Sequence, residues 1–308
     1  MKLTNKYNLP KAMLHALSHD RYDGGHGDVS CTTLIAPAQQ FQLKKVHGDE
    51  VTEDASDLIW SLIGQAVHYV IENAVRDMKL KGEWSEKDRT EERFYHEVGG
   101  KVVSAQIDLL ESGELMDFKI TSVWSIKDAV KNGKSDWDAQ LNIQRYLMVN
   151  NGIIVDHLYV IAIARDWNKS GNMRDNDYPP RVVKLKIPMW KMQKTEDYIA
   201  ARINALFSEH VVPCTPDECW ESPTQYALMK KGRTRAVRLL DSTDDLQAYA
   251  TDKGLTTIFS SDRESVDNPL IKGHYIEIRP GERKRCQNYC DVAPFCSQWE
   301  DWQEEHHG

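Results

Sequence analysis

Two aspartates and a lysine flank a short turn in the middle of the chain. A two-residue turn at 112–113, in which glycine supplies the positive φ, would place Asp108 opposite Asp117. Residues opposite each other on paired strands share a face, so Gln106 and Lys119 would lie on this face as well. Neighbouring carboxylates repel each other unless a cation neutralises them, and hard oxygen ligands suit Mg²⁺ or Mn²⁺.

These side chains could together support hydrolysis of a phosphate ester. A cation held by Asp108 and Asp117 can lower the pKa of a bound water and stabilise negative charge on a phosphate. Lys119 could orient or deprotonate that water, or stabilise the developing charge. The alternative is a solvent-exposed hairpin with a structural Asp–Lys pair, because short Asp-x-Lys strings are common by chance.

This motif resembles that of the PD-(D/E)XK nuclease superfamily, specifically its RecB/AddB-like branch. That branch includes CRISPR-associated RecB-like nucleases and many phage exonucleases. The resemblance covers about residues 30–299 and depends on Asp108 followed by Asp117-Phe118-Lys119. It implies that both aspartates and the backbone carbonyl of Phe118 bind the metal, and that Lys119 is the catalytic lysine.

A histidine before the hairpin and a glutamine after it extend the resemblance. His68 follows Gly64 and precedes Glu72 at i, i+4 spacing on a predicted helix, where Glu72 could orient it. RecB-like nucleases carry a metal-ligating histidine on this helix, which implies that role for His68, although a core histidine is the alternative. The family typically has Gln-x-x-x-Tyr after the hairpin, whereas this chain has Gln140 followed by Gln144, so only Gln140 is carried over.

The six cysteines of the chain are unevenly distributed, because three of them fall within eleven residues. In a chain with no sign of secretion, this crowding favours metal ligation over disulfides. Thiolates at these spacings suit Zn²⁺ or an iron–sulfur cluster. The resemblance favours a [4Fe–4S] cluster, which many RecB-like nucleases hold with three C-terminal cysteines and one distant cysteine. The C-terminal ligands would be Cys286, Cys290 and Cys296.

The sequence offers more than one candidate for the fourth cluster ligand. Cys214 matches an arrangement seen in phage relatives, while Cys31 lies five residues before the position of the N-terminal cysteine of other relatives. We therefore expect Cys214, with Cys31 as its alternative and Cys219 as a weaker candidate.

A run of lysines and arginines near residue 230 is the strongest basic segment in a chain whose net charge is −8. Phosphate binding requires a local basic track rather than a basic average, so this run could supply it. Trp220 and Tyr226 precede it and could stack on bases, while a solvated charged face is the alternative. The residues assigned to DNA binding are Lys230, Lys231, Arg233 and Arg235.

Apolar periodicity predicts the elements that would position these residues. Helices are predicted over about 31–46, 57–78, 137–149 and 188–207. Strands are predicted over 101–110, 115–121, 153–164 and 181–187, and the first 29 residues are predicted to be irregular. The resulting fold class is α/β, by resemblance a restriction-endonuclease-like core with a short mixed sheet flanked by helices. Residues 1–210 would form the nuclease core, and 211–308 a cysteine-bearing C-terminal extension packed on it.

The composition fits a soluble globular protein, with 41% hydrophobic and 28% charged residues. The sequence contains neither a stretch as long as a membrane helix nor a signal peptide, so we expect no membrane partner. The expected location is the cytoplasm of a bacterial or phage-infected cell.

By resemblance, we expect a metal-dependent exonuclease that hydrolyses phosphodiester bonds of single-stranded DNA or DNA ends in recombination and repair. A separate helicase or recombination protein could act beside it. One alternative is a catalytically silent DNA-binding or assembly module that retains the fold. Another is a zinc-ribbon interaction protein whose acidic hairpin is incidental.

Overall fold

The structure is a computed structural model, and it describes residues 2–18, 25–230, 232–253 and 274–307. The chain divides into two compact units, residues 1–212 and 213–308. The sequence-based division lies at 210, and the packing of the second unit on the first stays a prediction. None of the described helices combines the length and the apolar character that crossing a bilayer would require.

The first unit contains both strands and helices. Its strands are β1 (Lys2–Thr4), β2 (Val29–Ser30), β3 (Thr52–Asp54), β4 (Arg89–Thr90), β5 (Arg93–Val98), β6 (Lys101–Gln106), β7 (Leu109–Glu111), β8 (Glu114–Thr121), β9 (His157–Ala164) and β10 (Val182–Ile187). Its helices are α1 (Lys11–Ser18), α2 (Cys31–Ile35), α3 (Ala38–His47), α4 (Ile59–Lys81), α5 (Val123–Asn132), α6 (Ser135–Asn150), α7 (Lys169–Arg174) and α8 (Met192–Leu206).

A five-stranded mixed sheet forms the centre of this unit, in the order β10-β9-β8-β7-β4. Strands β8 and β9 are parallel, and α5 and α6 connect them, while the other pairs are antiparallel. On one face, Leu110 and Leu115 belong to the main core together with residues of α6. On the other face, Leu109 and Met116 pack with Val75 of α4. The predicted α/β fold with a short mixed sheet flanked by helices is confirmed, and the architecture is consistent with a restriction-endonuclease-like fold.

The predicted helix over 31–46 is divided into α2 and α3, because Pro37 interrupts it. Ser30 caps α2 as its hydroxyl accepts a hydrogen bond from the backbone N–H of Thr33 at 3.1 Å. The prediction that the first 29 residues are irregular was wrong in part, since β1, α1 and β2 lie there. Strand β1 pairs in parallel with β3, a contact with a distant segment that local sequence does not reveal.

The predicted strand over 101–110 breaks at 107–108, and this break positions the site. Its first part, β6, belongs to a three-stranded sheet in the order β2-β6-β5, whereas β7 belongs to the central sheet. The neighbouring chain breaks at the same level, between β4 and β5. Two backbone hydrogen bonds join the breaks, from Ile107 N to Glu92 O at 3.0 Å and from Glu91 N to Asp108 O at 3.2 Å. Glu91 and Asp108 therefore lie outside the regular β-ladders, at the corner where the two neighbouring chain segments pass from one sheet to the other.

The second unit has its own small antiparallel sheet. Its strands are β11 (Gln225–Lys230), β12 (Arg238–Leu240) and β13 (His274–Arg279), with β11 in the centre. Its helices are α9 (Thr243–Asp252), α10 (Lys284–Asn288) and α11 (Ser297–His307). Leu228, Leu240 and Leu246 form an apolar cluster between the sheet and α9.

Candidate active site

The hairpin turns where the sequence predicts. Ser112 and Gly113 both have positive φ, +52° and +81°, a backbone form whose twist suits a two-residue hairpin. Glu111 lies opposite Glu114, and Leu110 lies opposite Leu115, in the predicted register. This register orients the strand that carries Asp117 and Lys119.

Asp108 lies just beyond the last cross-strand pair, Leu109 with Met116. Its Oδ2 atom accepts a hydrogen bond of 2.7 Å from the backbone N–H of Phe118, so the side chain reaches across to β8. Its Oδ1 atom lies 3.7 Å from Nδ1 of His68. The prediction that Gln106 shares a strand face with Lys119 was wrong, because the strand changes sheets between Gln106 and Asp108.

Glu91 is a site residue that the sequence analysis missed. Its Oε1 atom lies 3.1 Å from Nδ1 of His68, and its Oε2 atom accepts a 2.7 Å hydrogen bond from Nε2 of Gln106. Glu91 has a φ of +49°, an uncommon conformation for a non-glycine residue that tertiary contacts must maintain. No motif in the sequence distinguishes Glu91 from its charged neighbours, since only the strand break turns it toward His68.

His68, Glu91 and Asp108 form a cluster of possible metal ligands. One ligand atom from each lies within 4.8 Å of the other two, and all three side chains are partly exposed. His68 is on α4, and its ring makes an edge contact with the ring of Phe118 at 6.2 Å between centroids. Glu72 is paired instead with Arg76 at 3.3 Å, so it is Glu91 and not Glu72 that orients His68. An imidazole and two carboxylates match the ligands that Mn²⁺ or Mg²⁺ would accept.

Asp117, Lys119 and Gln140 form a second cluster beside the first. Nζ of Lys119 lies 2.9 Å from Oδ2 of Asp117 and donates a 2.8 Å hydrogen bond to Oε1 of Gln140. Nε2 of Gln140 in turn donates a 2.8 Å hydrogen bond to Oδ1 of Asp117. Because α6 presents Gln140 to two residues of β8, the three side chains hold one another in a closed ring of contacts. Asp117 is almost fully buried, with 2% of its surface exposed.

The electrostatics of the two clusters indicate a place for a cation. The pKa of Asp108 is raised to about 8, chiefly by burial and in part by the nearby carboxylate of Asp117. The hydrogen bond to Glu91 raises the pKa of His68. Burial alone would lower the pKa of Lys119, but Asp117 more than offsets this and raises it, so the ammonium form is favoured. The carboxylate of Asp117 thus opposes the ionisation of Asp108, which a divalent cation would relieve.

Two residues that follow Gln140 on α6, Gln144 and Tyr146, are buried. Gln144 is buried and donates a 3.1 Å hydrogen bond to the backbone carbonyl of Gln106, so it supports the corner rather than lining an open site. Tyr146 is buried against the ring of His96. The role of the Phe118 carbonyl as a metal ligand stays a prediction.

Cys31 lies in the first unit, next to the second cluster. Its thiol is buried and lies 3.6 Å from the backbone carbonyl of Gln140, to which it donates. Burial raises its pKa to about 12, with a further contribution from Asp117. The neutral thiol is therefore the favoured form of Cys31.

The other five cysteines lie in the second unit, and none of the six cysteines forms a disulfide. Cys219, which is buried, is in hydrogen-bonding contact with the sulfurs of Cys214 and Cys286. These two contacts lower the pKa of Cys219 to about 3, and the charges of two nearby arginines contribute. Cys290 and Cys296 are close enough to perturb the Cys286 thiol. The five sulfurs therefore lie in one region, with Cys219 between Cys214 of its own loop and Cys286 of α10.

Hydrogen bonds fix the segments that carry these cysteines. The side chain of Gln298 accepts from Cys214 N at 2.9 Å and donates to Cys214 O at 2.8 Å, which joins the loop before β11 to α11. The backbone N–H of Arg285 donates to Cys219 O at 3.1 Å, next to Cys286. Hydrogen bonds between these segments thus hold the loop with Cys214 and Cys219 beside α10 and α11.

Of the predicted DNA-binding residues, Lys230 is the last residue of β11, and Arg233 and Arg235 lie between β11 and β12. Lys230, Arg233 and Arg235 are exposed, while Lys231 lies outside the described residues. Tyr226 packs against the apolar cluster of the second unit, which limits its availability for stacking. Trp220 is partly exposed, with the guanidinium of Arg285 at 4.4 Å from its ring.

Comparisons with known proteins give only remote likenesses. No family model and no curated protein sequence matches the chain. Solved structures that resemble it include the crystal structure of SSO0001, with 16% identity and a TM-score of 0.42 over 68% of this chain and 88% of that one. They also include LHK-Exo in complex with dAMP, with 14% identity and a TM-score of 0.28 over 58% of this chain and 91% of that one. Since both TM-scores are below 0.5, a proposal for function depends on the geometry of the site itself.

Proposed function

We propose that the chain is a divalent-metal-dependent nuclease that hydrolyses DNA phosphodiester bonds, in agreement with the PD-(D/E)XK-like motif of its sequence. The observation that carries this proposal is the adjacency of two clusters, one of possible metal ligands and one containing a charged lysine. The first consists of His68, Glu91 and Asp108, and the second joins Lys119 to Asp117. Lys119 neutralises the carboxylate of Asp117, whereas the carboxylates of Glu91 and Asp108 lie together beside His68, where a divalent cation would neutralise them.

The first cluster, together with Asp117, would hold Mg²⁺ or Mn²⁺. When bound, such an ion supplies Lewis-acid activation of a water and stabilisation of charge on the phosphate. The raised pKa of Asp108 supports this assignment, because the site disfavours its negative charge until a positive charge is nearby. The hydrogen bond between His68 and Glu91 would hold the imidazole ring in position beside Asp108.

Lys119 would act as a hydrogen-bond donor rather than as a base. Its raised pKa keeps the proton on Nζ, and Asp117 and Gln140 engage two of the three N–H groups. The third can donate to a phosphate oxygen or orient the attacking water. In the reaction, the oxygen of water bonds to phosphorus as the water gives a proton to the solvent. The bond from phosphorus to the ester oxygen breaks, and that oxygen takes up a proton from the solvent. Gln140 is a positioning residue, because it contacts both Asp117 and Lys119.

An exonuclease acting on single-stranded DNA or DNA ends is the proposed mode, by resemblance to the RecB/AddB-like branch. A separate helicase or recombination protein as partner stays a prediction. Exposed Lys230, Arg233 and Arg235 would contact phosphates from the second unit.

We also propose that Cys214, Cys286, Cys290 and Cys296 hold a [4Fe–4S] cluster, with Zn²⁺ as the alternative. The grouping of five cysteines in one region without a disulfide supports a thiolate-bound metal centre. The thiol of Cys31 is buried and donates to the backbone carbonyl of Gln140, which favours Cys214 over Cys31 as the fourth ligand. A bound centre would stabilise the second unit, since the free energy of metal binding becomes folding free energy.

The test of the proposed activity is digestion of DNA under defined metal conditions. End-labelled single-stranded, end-labelled double-stranded and circular substrates would be incubated with Mg²⁺, with Mn²⁺, or with a chelator. We expect metal-dependent cleavage of the linear substrates by the wild-type chain and none by Asp117→Asn. Equal cleavage by Asp117→Asn would refute the enzyme assignment. Binding without cleavage under all metal conditions would instead support the catalytically silent module.

A further inference from the structure

We infer that Trp60 and Arg165 form a stacking platform for unpaired nucleobases next to the proposed active site, which gives the enzyme a preference for single-stranded nucleic acid. This inference deepens the proposed nuclease function and rests on it. It concerns residues of the first unit only and is independent of the basic run in the second unit.

The platform consists of an exposed indole and a guanidinium. The guanidinium carbon of Arg165 lies 4.1 Å from the centre of the Trp60 ring, and 54% of Trp60 is exposed. Arg165 forms no ion pair with any residue that the structure describes, so its positive charge is available. A cation over one face of the ring fixes its orientation and leaves the other face open for a base, while the guanidinium offers donors to a phosphate.

Three contacts place this pair in line with the proposed active site. Along β8, Met116 packs with Val75 of α4, and the ring of Phe118 contacts the ring of His68 of α4. At the end of the strand, the backbone carbonyl of Thr121 accepts a hydrogen bond from the backbone N–H of Arg165, whose guanidinium lies over Trp60. Helix α4 therefore runs antiparallel to β8, and the platform lies at the carboxyl end of that strand.

The separation suits a short length of nucleic-acid strand. Trp60 precedes His68 by eight residues, or about 12 Å along a helix. Phe118, whose ring contacts His68, pairs with Ile161, four residues before Arg165, which is about 13 Å along a strand. These distances correspond to about three to four nucleotides at the spacing of roughly 3.4 Å found within one strand of a duplex. A strand whose phosphate lies beside His68 could thus place a base near Trp60.

The helix surface between the platform and His68 is open. Gly64 lies midway between Trp60 and His68 on the same stripe of α4, and a Cβ atom added there would meet no atom within 4 Å. A side chain at this position would be tolerated by the fold but would stand in the proposed path of the strand.

A second exposed indole lies at the same edge of the sheet. Trp124, which is 69% exposed, follows Thr121 by three residues at the start of α5. The backbone N–H of its neighbour Val123 donates a 2.7 Å hydrogen bond to Asp166, the residue after Arg165. This hydrogen bond occupies one carboxylate oxygen of Asp166, the acidic residue nearest to Arg165 in sequence. Exposed aromatic rings beside a free guanidinium match the stacking and backbone contacts of single-stranded nucleic-acid sites better than those of an apolar protein interface.

The experiment measures binding of the full chain to a fluorescent oligothymidylate and to a duplex of the same length, with chelator present. We expect Trp60→Ala and Arg165→Ala to weaken binding of the single strand, Trp60→Ala by about tenfold or more, since loss of one stacked base costs about this factor. Trp60→Phe should retain most of the affinity, and duplex binding should change less. Leu80→Ala is the matched control, because Leu80 is an exposed apolar residue of α4 beyond the other side of His68.

A second variant tests the path itself. Gly64→Leu should preserve or raise the melting temperature, since leucine is a better helix former than glycine, and yet reduce single-strand cleavage. Wild-type cleavage with equal single-strand affinity for Trp60→Ala, Arg165→Ala and Leu80→Ala would overturn the platform and leave the nuclease function intact. Failure of the wild-type chain to cleave any substrate would overturn the proposed function and, with it, this inference.

Discussion

Nδ1 of His68 lies 3.1 Å from Oε1 of Glu91, although 23 residues separate the two in sequence. The contact joins helix α4 to the corner where both neighbouring strands change sheets. It also directs the imidazole toward Asp108, whose Oδ1 atom lies 3.7 Å away. The proposed metal centre thus depends on a break in regular β-structure.

Removal of the Glu91 carboxylate should weaken metal binding. Glu91→Gln keeps the size of the side chain but removes its charge, so the affinity for Mn²⁺ should fall by about tenfold or more. Calorimetric titration of the purified protein measures this. Glu72→Gln is the control, because Glu72 is on the same helix as His68 but pairs with Arg76. Equal affinities of the two variants would contradict a ligand role for Glu91.

Metal affinity should rise with pH below about 8. The pKa of Asp108 is raised to about 8 and that of His68 is also raised, so protons compete with the cation at both groups in neutral solution. For each proton that Mn²⁺ binding displaces, we expect the dissociation constant to fall by about tenfold per pH unit between pH 6 and pH 8. A pH-independent dissociation constant over this range would show that neither group is a ligand.

The stability of the metal-free protein should have the opposite pH dependence. Between pH 3.8 and about 8, the folded state retains a proton on Asp108 that the unfolded chain has lost, so this contribution to the free energy of unfolding falls as pH rises. Urea titrations with chelator at pH 6 and pH 8.5 measure the change. Asp108→Asn should raise stability at pH 8.5 by about 1 kcal/mol or more and reduce the slope, since one pKa unit corresponds to about 1.4 kcal/mol. If the free energy of unfolding of Asp108→Asn fell with pH as steeply as that of the wild type, burial of the Asp108 carboxylate would be contradicted.

Loss of the lysine should affect catalysis more than metal binding. Lys119→Met removes the donor but retains an unbranched side chain, and we expect the cleavage rate at saturating Mn²⁺ to fall about 100-fold or more. Gln140→Leu should lower the rate less, because it only positions Lys119 and Asp117. Single-turnover rates and metal titrations on the same samples separate the two effects. A loss of metal affinity without a change in rate would exclude the proposed role of Lys119.

The cysteine substitutions should separate the two candidate fourth ligands. Cys214→Ser should lose most of the bound iron or zinc, whereas Cys31→Ser should retain it, because the Cys31 thiol is buried against the backbone carbonyl of Gln140. Metal analysis and the visible absorption spectrum measure the outcome, and absorbance would distinguish an iron–sulfur cluster from zinc. If Cys219→Ser loses the metal and Cys214→Ser does not, the fourth ligand is Cys219 instead.

Local sequence patterns determined the hairpin and the helices that carry His68 and Gln140. The Ser-Gly pair at 112–113 required a tight turn because glycine tolerates positive φ, and this alone set Leu110 opposite Leu115. Periodic apolar residues gave α4 and α6, and so the helices that carry His68 and Gln140. These are short-range properties that each segment expresses in its own sequence.

Only the tertiary structure decided how the site is completed. Glu91 faces His68 because two distant strand breaks meet at one corner, and Gln106 is drawn to Glu91 rather than to Lys119 for the same reason. Cys219 approaches Cys286 only because the loop before β11 meets α10, a segment more than sixty residues further along the chain. The spacing of residues along the chain does not encode such meetings, because they depend on packing and hydrogen bonds between elements far apart in sequence.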